Sequence, residues 1–167
     1  MGTARGRRVL AATVLGSGMV FLDATVVNVA ARSIGDDFHA SFGALQWVLN
    51  AYTLALASLI LLGGSLGDRL GRRRVFLTGT AWFAAASLAC AVAPNVGTLI
   101  AARALQGVGG ALLTPGSLAI ISAAFAPGDR AAAVGVWSGL AGVSTALGPL
   151  LGGWFVQDFS WRWAFAI

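Results

Sequence analysis

The sequence predicts an all-α integral membrane protein, a partial bundle of about five transmembrane helices followed by a truncated sixth. Its 167 residues are 57% hydrophobic and only 10% charged, whereas a soluble domain carries about 25% charged residues. Apolar runs long enough to cross a bilayer, which takes about 20 residues, follow one another along the chain. Short connectors separate these runs, so consecutive helices are expected to lie side by side and antiparallel.

The whole chain, residues 1–167, is predicted to form one such bundle. The predicted spans and the final stub cover residues 9–30, 45–67, 75–93, 98–125, 131–156 and 161–167. The first run follows three arginines and resembles a secretory signal. Its apolar character resumes after Asp23 and reaches Ala30 without a small-residue cleavage site, so we expect a retained helix. The stub is too short to cross a membrane, which predicts a piece of a longer protein.

The distribution of arginines predicts the orientation. Short loops that are rich in arginine stay on the cytoplasmic side of the membrane. With the N-terminus inside, that side holds Arg5, Arg7, Arg8, Arg69, Arg72, Arg73, Arg74 and Arg130. The other side holds only Arg32 and Arg162. We therefore expect a multi-pass protein with a cytoplasmic N-terminus and the lipid bilayer as its main partner.

Composition excludes several classes of function. The basic residues are all arginine, and a phosphate-binding loop of the Walker type needs a lysine. The net charge is +5, but the arginines that give it lie at the ends of apolar runs and form no basic stripe on a polar face. A nucleic-acid partner is therefore not expected. Cys90 and His39 are the only residues of their kinds, so no metal site is expected. No catalytic set is apparent, and neither an enzyme nor a cofactor is predicted.

A turn rich in glycine and arginine separates the second and third runs. It reads Gly64-Ser65-Leu66-Gly67-Asp68-Arg69-Leu70-Gly71-Arg72-Arg73-Arg74. This pattern resembles the loop signature between the second and third helices of major facilitator superfamily transporters. The resemblance implies a latch that stabilises the outward-open state through a charge network with the partner half-bundle. The latch residues would be Gly64, Asp68, Arg69, Gly71, Arg72, Arg73 and, from the next cytoplasmic loop, Arg130. From the residues alone, the arginines fit a positive-inside anchor as well.

The first predicted helix carries a carboxylate. A charged group in hydrocarbon costs roughly 2.5–3.5 kcal/mol, so Asp23 should face a cavity or a partner. Burial disfavours the carboxylate and a nearby cation favours it, so Asp23 between the two could take up and release a proton. A purely structural hydrogen bond near the helix end is the alternative. The segment Leu22–Ala30 resembles a motif of the fourteen-span drug:proton antiporters, although Ala31-Arg32 replaces the Leu-Pro that usually follows.

The fourth predicted helix carries a second ionisable residue. Arg103, Gln106, Gly107 and Gly110 share one face, because their spacing matches the helical repeat. They resemble the R-x-x-Q-G motif of the same superfamily, which implies that Arg103 takes part in proton coupling with Asp23. The alternative for Arg103 is an anchor that reaches the lipid headgroups.

The fifth predicted helix is rich in glycine. Ser144, Gly148 and Gly152 recur every fourth residue, a stripe against which another helix can pack closely. No strand surrounds these glycines, which excludes a dinucleotide fingerprint. The set resembles the antiporter signature of the superfamily and implies export; its residues are Gly135, Ser144, Gly148, Pro149, Gly152 and Gly153.

Together these resemblances predict part of a proton-coupled multidrug efflux antiporter in a bacterial inner membrane. Its partners would be a hydrophobic or cationic small molecule, protons, and further helices of the same transporter, with the proton gradient as energy source. The residues expected to line a substrate cavity are Asn28, Asn50, Tyr52 and Gln106. Two alternatives stay open: a truncated membrane fragment that does not transport, and a proton symporter for a nutrient.

Overall fold

A computed structural model describes residues 4–166, with the side chain of Arg5 excepted, so Ile167 of the predicted stub lies outside the described residues. Within residues 4–166 the chain forms five long α-helices and one short 3₁₀ helix, without a strand. Their bounds are α1 Ala4–Phe38, α2 Phe42–Leu70, α3 Arg72–Ala91, α4 Val96–Ala124, α5 Pro127–Asp158 and the 3₁₀ helix Trp161–Phe165. Each α-helix is long and apolar enough to cross a membrane. The predicted fold class is confirmed.

The helices are longer than the apolar runs that predicted them. Residues 31–38, predicted as the start of a connector, continue α1, because Ile34 is buried and Phe38 packs against the core. The connector to α2 shrinks to residues 39–41, where His39 takes a positive φ of 48°. The turn at the arginine-rich loop shrinks to Gly71 alone, whose φ of 98° favours glycine. The predicted spans stopped short of these helix ends because charged residues interrupt the apolar runs from which the spans were predicted.

The connections divide the bundle into two ends. One end, called here the Gly71 face, holds the α2–α3 turn and the α4–α5 connection at residues 125–126. The opposite end, called the His39 face, holds residues 39–41, residues 92–95 and the 3₁₀ helix. Asn95 starts α4 on the His39 face with a capping box, since its side chain accepts from the Thr98 amide at 2.9 Å.

α4 is the central helix of the bundle. It packs against α2 and α3 over most of its length and touches α1, while α5 packs along α1. Glycines permit these close approaches: Gly107 faces the Tyr52 carbonyl of α2, and Gly109 faces the backbone of Phe83 in α3. Small residues of this kind let helices approach when the surrounding lipid offers no hydrophobic drive for association.

Large apolar side chains on the outer surface remain exposed. They include Leu54, Leu61, Leu62 and Leu150. A soluble protein rarely exposes so much apolar surface, whereas helices that span a bilayer present such side chains to lipid. Lipid contact is therefore expected on this surface.

The stripe on α5 gives a test of the α1–α5 contact. A Cβ added at Gly148 would lie 2.7 Å from the Cβ of Thr25, which no rotamer change can move away. We expect Gly148→Ala to force the helices apart and to lower stability by about 1–3 kcal/mol, the usual cost of overpacking. The midpoint of thermal unfolding of the purified protein measures this.

Gly153→Ala is the matched control, since a Cβ at Gly153 meets no atom within 4 Å. It should leave the unfolding midpoint unchanged. An equal loss of stability in both variants would contradict the importance of the close approach at Gly148.

Candidate functional site

An ion pair lies buried in the middle of the bundle. Arg103 of α4 places its Nη1 2.7 Å from Oδ2 of Asp23 in α1, and the two side chains are 2% and 7% exposed. The guanidinium therefore does not reach the surface as a lipid-headgroup anchor would. Removing one member of a buried pair leaves an uncompensated charge, so each residue needs the other.

Gln106 completes the hydrogen bonding of the pair. Its Nε2 donates to Oδ1 of Asp23 at 3.0 Å, and its Oε1 accepts from Nη1 of Arg103 at 2.5 Å. The same Nε2 donates to the hydroxyl of Ser87 in α3 at 2.6 Å. Arg103 and Gln106 reach one carboxylate together because residues three apart share a helix face. Through Gln106, side chains of α1, α3 and α4 thus join in one hydrogen-bonded network.

α2 and the 3₁₀ helix close the remaining sides of the guanidinium. Arg103 Nε donates to the Val48 carbonyl at 3.2 Å. Its Cζ lies 4.2 Å from the ring centroid of Tyr52 and 5.7 Å from that of Phe165. A cation over aromatic faces is attracted by the ring electrons, more strongly where water is excluded. Asp23, Gln106, a carbonyl and two rings therefore surround the charge of Arg103.

A cavity of about 430 Å³ reaches the carboxylate from the side of α1 and α3. Apolar and aromatic side chains form most of its wall, together with Asp23 and the hydroxyls of Ser87 and Ser144. Ala164, Phe165 and Ala166 bound it towards the His39 face. Among its described lining residues Asp23 carries the single charge, so the cavity combines an apolar wall with one acidic group.

The four residues expected to line a substrate cavity differ in their burial. Tyr52 and Gln106 are buried, and both contact Arg103. Asn28 and Asn50 are exposed, and the Asn28 amide donates to the Ala24 carbonyl of its own helix at 2.6 Å. None of the four belongs to the described lining of the 430 Å³ cavity.

The arginine-rich loop makes its polar contacts on the Gly71 face. Asp68 and Arg72 pair at 3.0 Å, and both are exposed. Arg72 also donates to the Ala119 carbonyl of α4 at 3.3 Å. Arg130 donates to the Phe125 carbonyl at 3.1 Å, at the α4–α5 connection. Of the other predicted latch residues, Arg69, Gly71 and Arg73 are exposed, and Gly64 lies against Pro115.

The predicted antiporter motif on α5 divides into two groups. Gly148 and Gly152 face Thr25, Val26 and Val29 of α1, and Ser144 lies beside Gly18. Gly135 and Gly153 face open space, and Pro149 is exposed within a helix that continues through it. The stripe thus packs against the helix that carries Asp23.

Sequence analysis missed two polar contacts between helices. Ser87 had no motif around it, although its hydroxyl is the α3 member of the buried network. The hydroxyls of Ser17 and Ser117 pair at 2.7 Å, and Trp137 Nε1 donates to Ser17 at 3.1 Å. The available signal was weak, since a serine in an apolar run can also bond to its own helix.

The family model described as Major Facilitator Superfamily matches residues 13–167. The chain belongs to the major facilitator superfamily. The match covers all five α-helices in whole or in large part, including those that carry Asp23 and Arg103.

Curated relatives of this superfamily chain include resistance and export proteins. It is 44% identical over 158 residues to the tetracenomycin C resistance and export protein of Streptomyces glaucescens, covering 95% of this chain and 29% of that protein. It is 42% identical over 159 residues to the multidrug resistance protein Stp of Mycobacterium tuberculosis strain CDC 1551, covering 95% and 30%. The chain therefore spans less than a third of the length of these relatives.

A solved structure shares the fold. The crystal structure of a peptide transporter in complex with sulfate matches 99% of this chain and 35% of its own, with a TM-score of 0.82 and 21% sequence identity. At this identity the similarity concerns the arrangement of helices and not the transported compound.

The buried ion pair of this superfamily member predicts non-additive effects on stability. We expect Asp23→Asn and Arg103→Gln each to lower the free energy of unfolding by about 3–5 kcal/mol, because each leaves a charge buried without its partner. The double variant should lose less free energy of unfolding than the two single variants lose together, because it buries neither charge. Unfolding midpoints of the purified protein and the three variants measure this.

If the double variant lost as much free energy of unfolding as the two single variants lose together, the two charges would not interact.

Proposed function

We propose that the chain forms five spans of a proton-coupled exporter of hydrophobic or cationic compounds. The observation that carries the proposal is the buried pair of Asp23 and Arg103. An ionisable pair inside a transmembrane bundle is costly and marks a functional site by default. The names of the relatives, which refer to resistance and export, support the direction of transport.

The proposed role of Asp23 is to carry the proton. When Asp23 is ionised, Arg103 and Gln106 hold its two oxygens and tie α1 to α4. Protonation removes the charge attraction, while Arg103 keeps Gln106, the Val48 carbonyl and the Tyr52 ring as partners. Because the two protonation states favour different contacts between α1 and α4, proton uptake would shift the balance between two bundle conformations.

The proposed substrate class follows from the surroundings of the same carboxylate. An apolar wall with Asp23 at one end suits a hydrophobic molecule that bears a positive charge. A cationic substrate and a proton would each have to replace Arg103 as the partner of this one carboxylate, so binding of one would favour release of the other. This competition is the physical basis of exchange.

The Gly71 face is proposed to be cytoplasmic, in the inner membrane of a bacterium. Arg69, Arg72, Arg73 and Arg74 lie exposed there, which fits the preference of arginine for the inside. The exposed pair of Asp68 and Arg72 is proposed to act in the latch that stabilises the outward-open state. Exposed pairs are individually weak, so such a latch can open and close.

The orientation can be tested with single cysteines at two glycines that have open space around them. Gly43 lies on the His39 face and Gly128 on the Gly71 face. In intact cells we expect an impermeant maleimide to label Gly43→Cys, and to label Gly128→Cys only after permeabilisation. The buried Cys90 gives the background signal. The reverse labelling pattern would place the N-terminus outside.

The proton-carrying role can be tested with the full-length transporter in inverted membrane vesicles. With ethidium as the probe, an imposed proton gradient should drive its accumulation. We expect Asp23→Asn to reduce this to the level of vesicles without the protein, because the amide cannot carry a proton. Exposed Asp36, on the same helix, provides the matched control Asp36→Asn, which should retain transport.

Gradient-driven transport that survives in Asp23→Asn would refute the role of Asp23. If the wild-type protein moves neither ethidium nor other hydrophobic cations, the proposed substrate class fails.

A further inference from the structure

The 3₁₀ helix is fastened to the His39 face by polar contacts outside the ion-pair site. Trp161 Nε1 donates to Asp37 Oδ2 at 3.0 Å, and Nη2 of Arg162 lies 3.8 Å from the same oxygen. The guanidinium of Arg162 also stacks over the Trp161 ring, with 4.5 Å from Cζ to the ring centroid. Asp37, Trp161 and Arg162 form what is called here the clasp.

The clasp also holds the end of α3. Arg162 Nη1 donates to the carbonyls of Ala91 and Ala93 at 2.9 Å each. The last carbonyls of a helix lack an intrahelical donor, and a basic side chain can supply one. One arginine thus joins the carboxylate at the end of α1, the carbonyls at the end of α3 and its own 3₁₀ helix.

Phe165 extends from the clasp towards the ion pair. It is 2% exposed and packs edge-on against Trp161, with ring centroids 6.0 Å apart. Its centroid lies 5.7 Å from Cζ of Arg103, and its ring helps to bound the cavity that Asp23 lines. Phe165 therefore separates the ion pair from the His39 face.

We propose that Phe165 is an aromatic cover over the Asp23–Arg103 pair and that the clasp positions it. The ring excludes water from the pair on this side, which strengthens the attraction between the charges. The clasp residues Asp37 and Arg162 are half-exposed, so water can compete for their contacts. Opening the clasp would release Phe165 and hydrate the pair. Its part in transport rests on the proposed function, whereas the cover itself does not.

Cys90 is a built-in reporter for this cover. Its side chain is fully buried in the same apolar cluster as Trp161 and Phe165, and its Sγ lies 3.7 Å from Oε1 of Gln106. It follows the cavity-lining Ser87 by three residues in α3, so it lies on nearly the same helix face. Reagent that passes Phe165 would therefore reach this thiol.

The test is the rate at which N-ethylmaleimide modifies Cys90 in the full-length protein, with the site of modification identified by peptide mass spectrometry. Phe165→Ala removes the cover and Arg162→Gln releases the clasp. Both should speed labelling by about fivefold or more, the factor by which loss of one ordinary contact shifts an opening equilibrium. Trp163→Ala is the control from the same 3₁₀ helix, because Trp163 is 55% exposed, and it should label at the wild-type rate.

Labelling in Phe165→Ala and Arg162→Gln at the wild-type rate would overturn the proposal, and so would equal acceleration in Trp163→Ala. If Phe165→Ala cannot be recovered folded, Phe165→Leu keeps an apolar side chain without the ring and should still label faster than the wild type.

The assay needs neither substrate nor gradient. Faster labelling in a protein that exports nothing would support the cover while refuting the proposed function. Unchanged labelling in an active exporter would refute the cover alone.

Discussion

A carboxylate and a guanidinium that are buried together between α1 and α4 constrain the rest of the bundle. Neither charge is tolerable in a membrane interior without the other, so the facing sides of the two helices are fixed by their contact. The remaining polar atoms must then be satisfied locally, which Gln106, Ser87 and the Val48 carbonyl do. Through Val48 and Ser87, helices α2 and α3 therefore contact the same buried network.

Small residues make this arrangement possible. α4 approaches α2 and α3 closely because glycines stand where larger side chains would collide, at Gly107 and Gly109. Gly148 and Gly152 do the same between α5 and α1. Without the hydrophobic drive that water provides, such contacts and the hydrogen bonds between helices hold the bundle together. The glycine stripe and the ion pair therefore act on one helix, α1, from two sides.

Among the described residues, aspartate–arginine pairs lie at three levels of the bundle and differ in their exposure to solvent. Asp68–Arg72 on the Gly71 face and Asp37–Arg162 on the His39 face are open to solvent, where a pair contributes little and exchanges readily with water. Asp23–Arg103 between them is buried and shielded from solvent. Weak pairs at the ends and a buried pair in the middle would suit the proposed alternation of the bundle between two conformations.

The sequence by itself determined the fold class, the number of spans, and the presence of ionisable residues at positions 23 and 103, because hydropathy and charge are local properties. It did not determine that α1 continues to Phe38, since charged residues at a helix end resemble a loop. Only the tertiary structure decided that Asp23 pairs with Arg103, 80 residues away, and that Ser87 and Phe165 join them. It also decided which residues border the cavity. Such contacts depend on how each helix is rotated and how closely it packs, and an apolar run specifies neither.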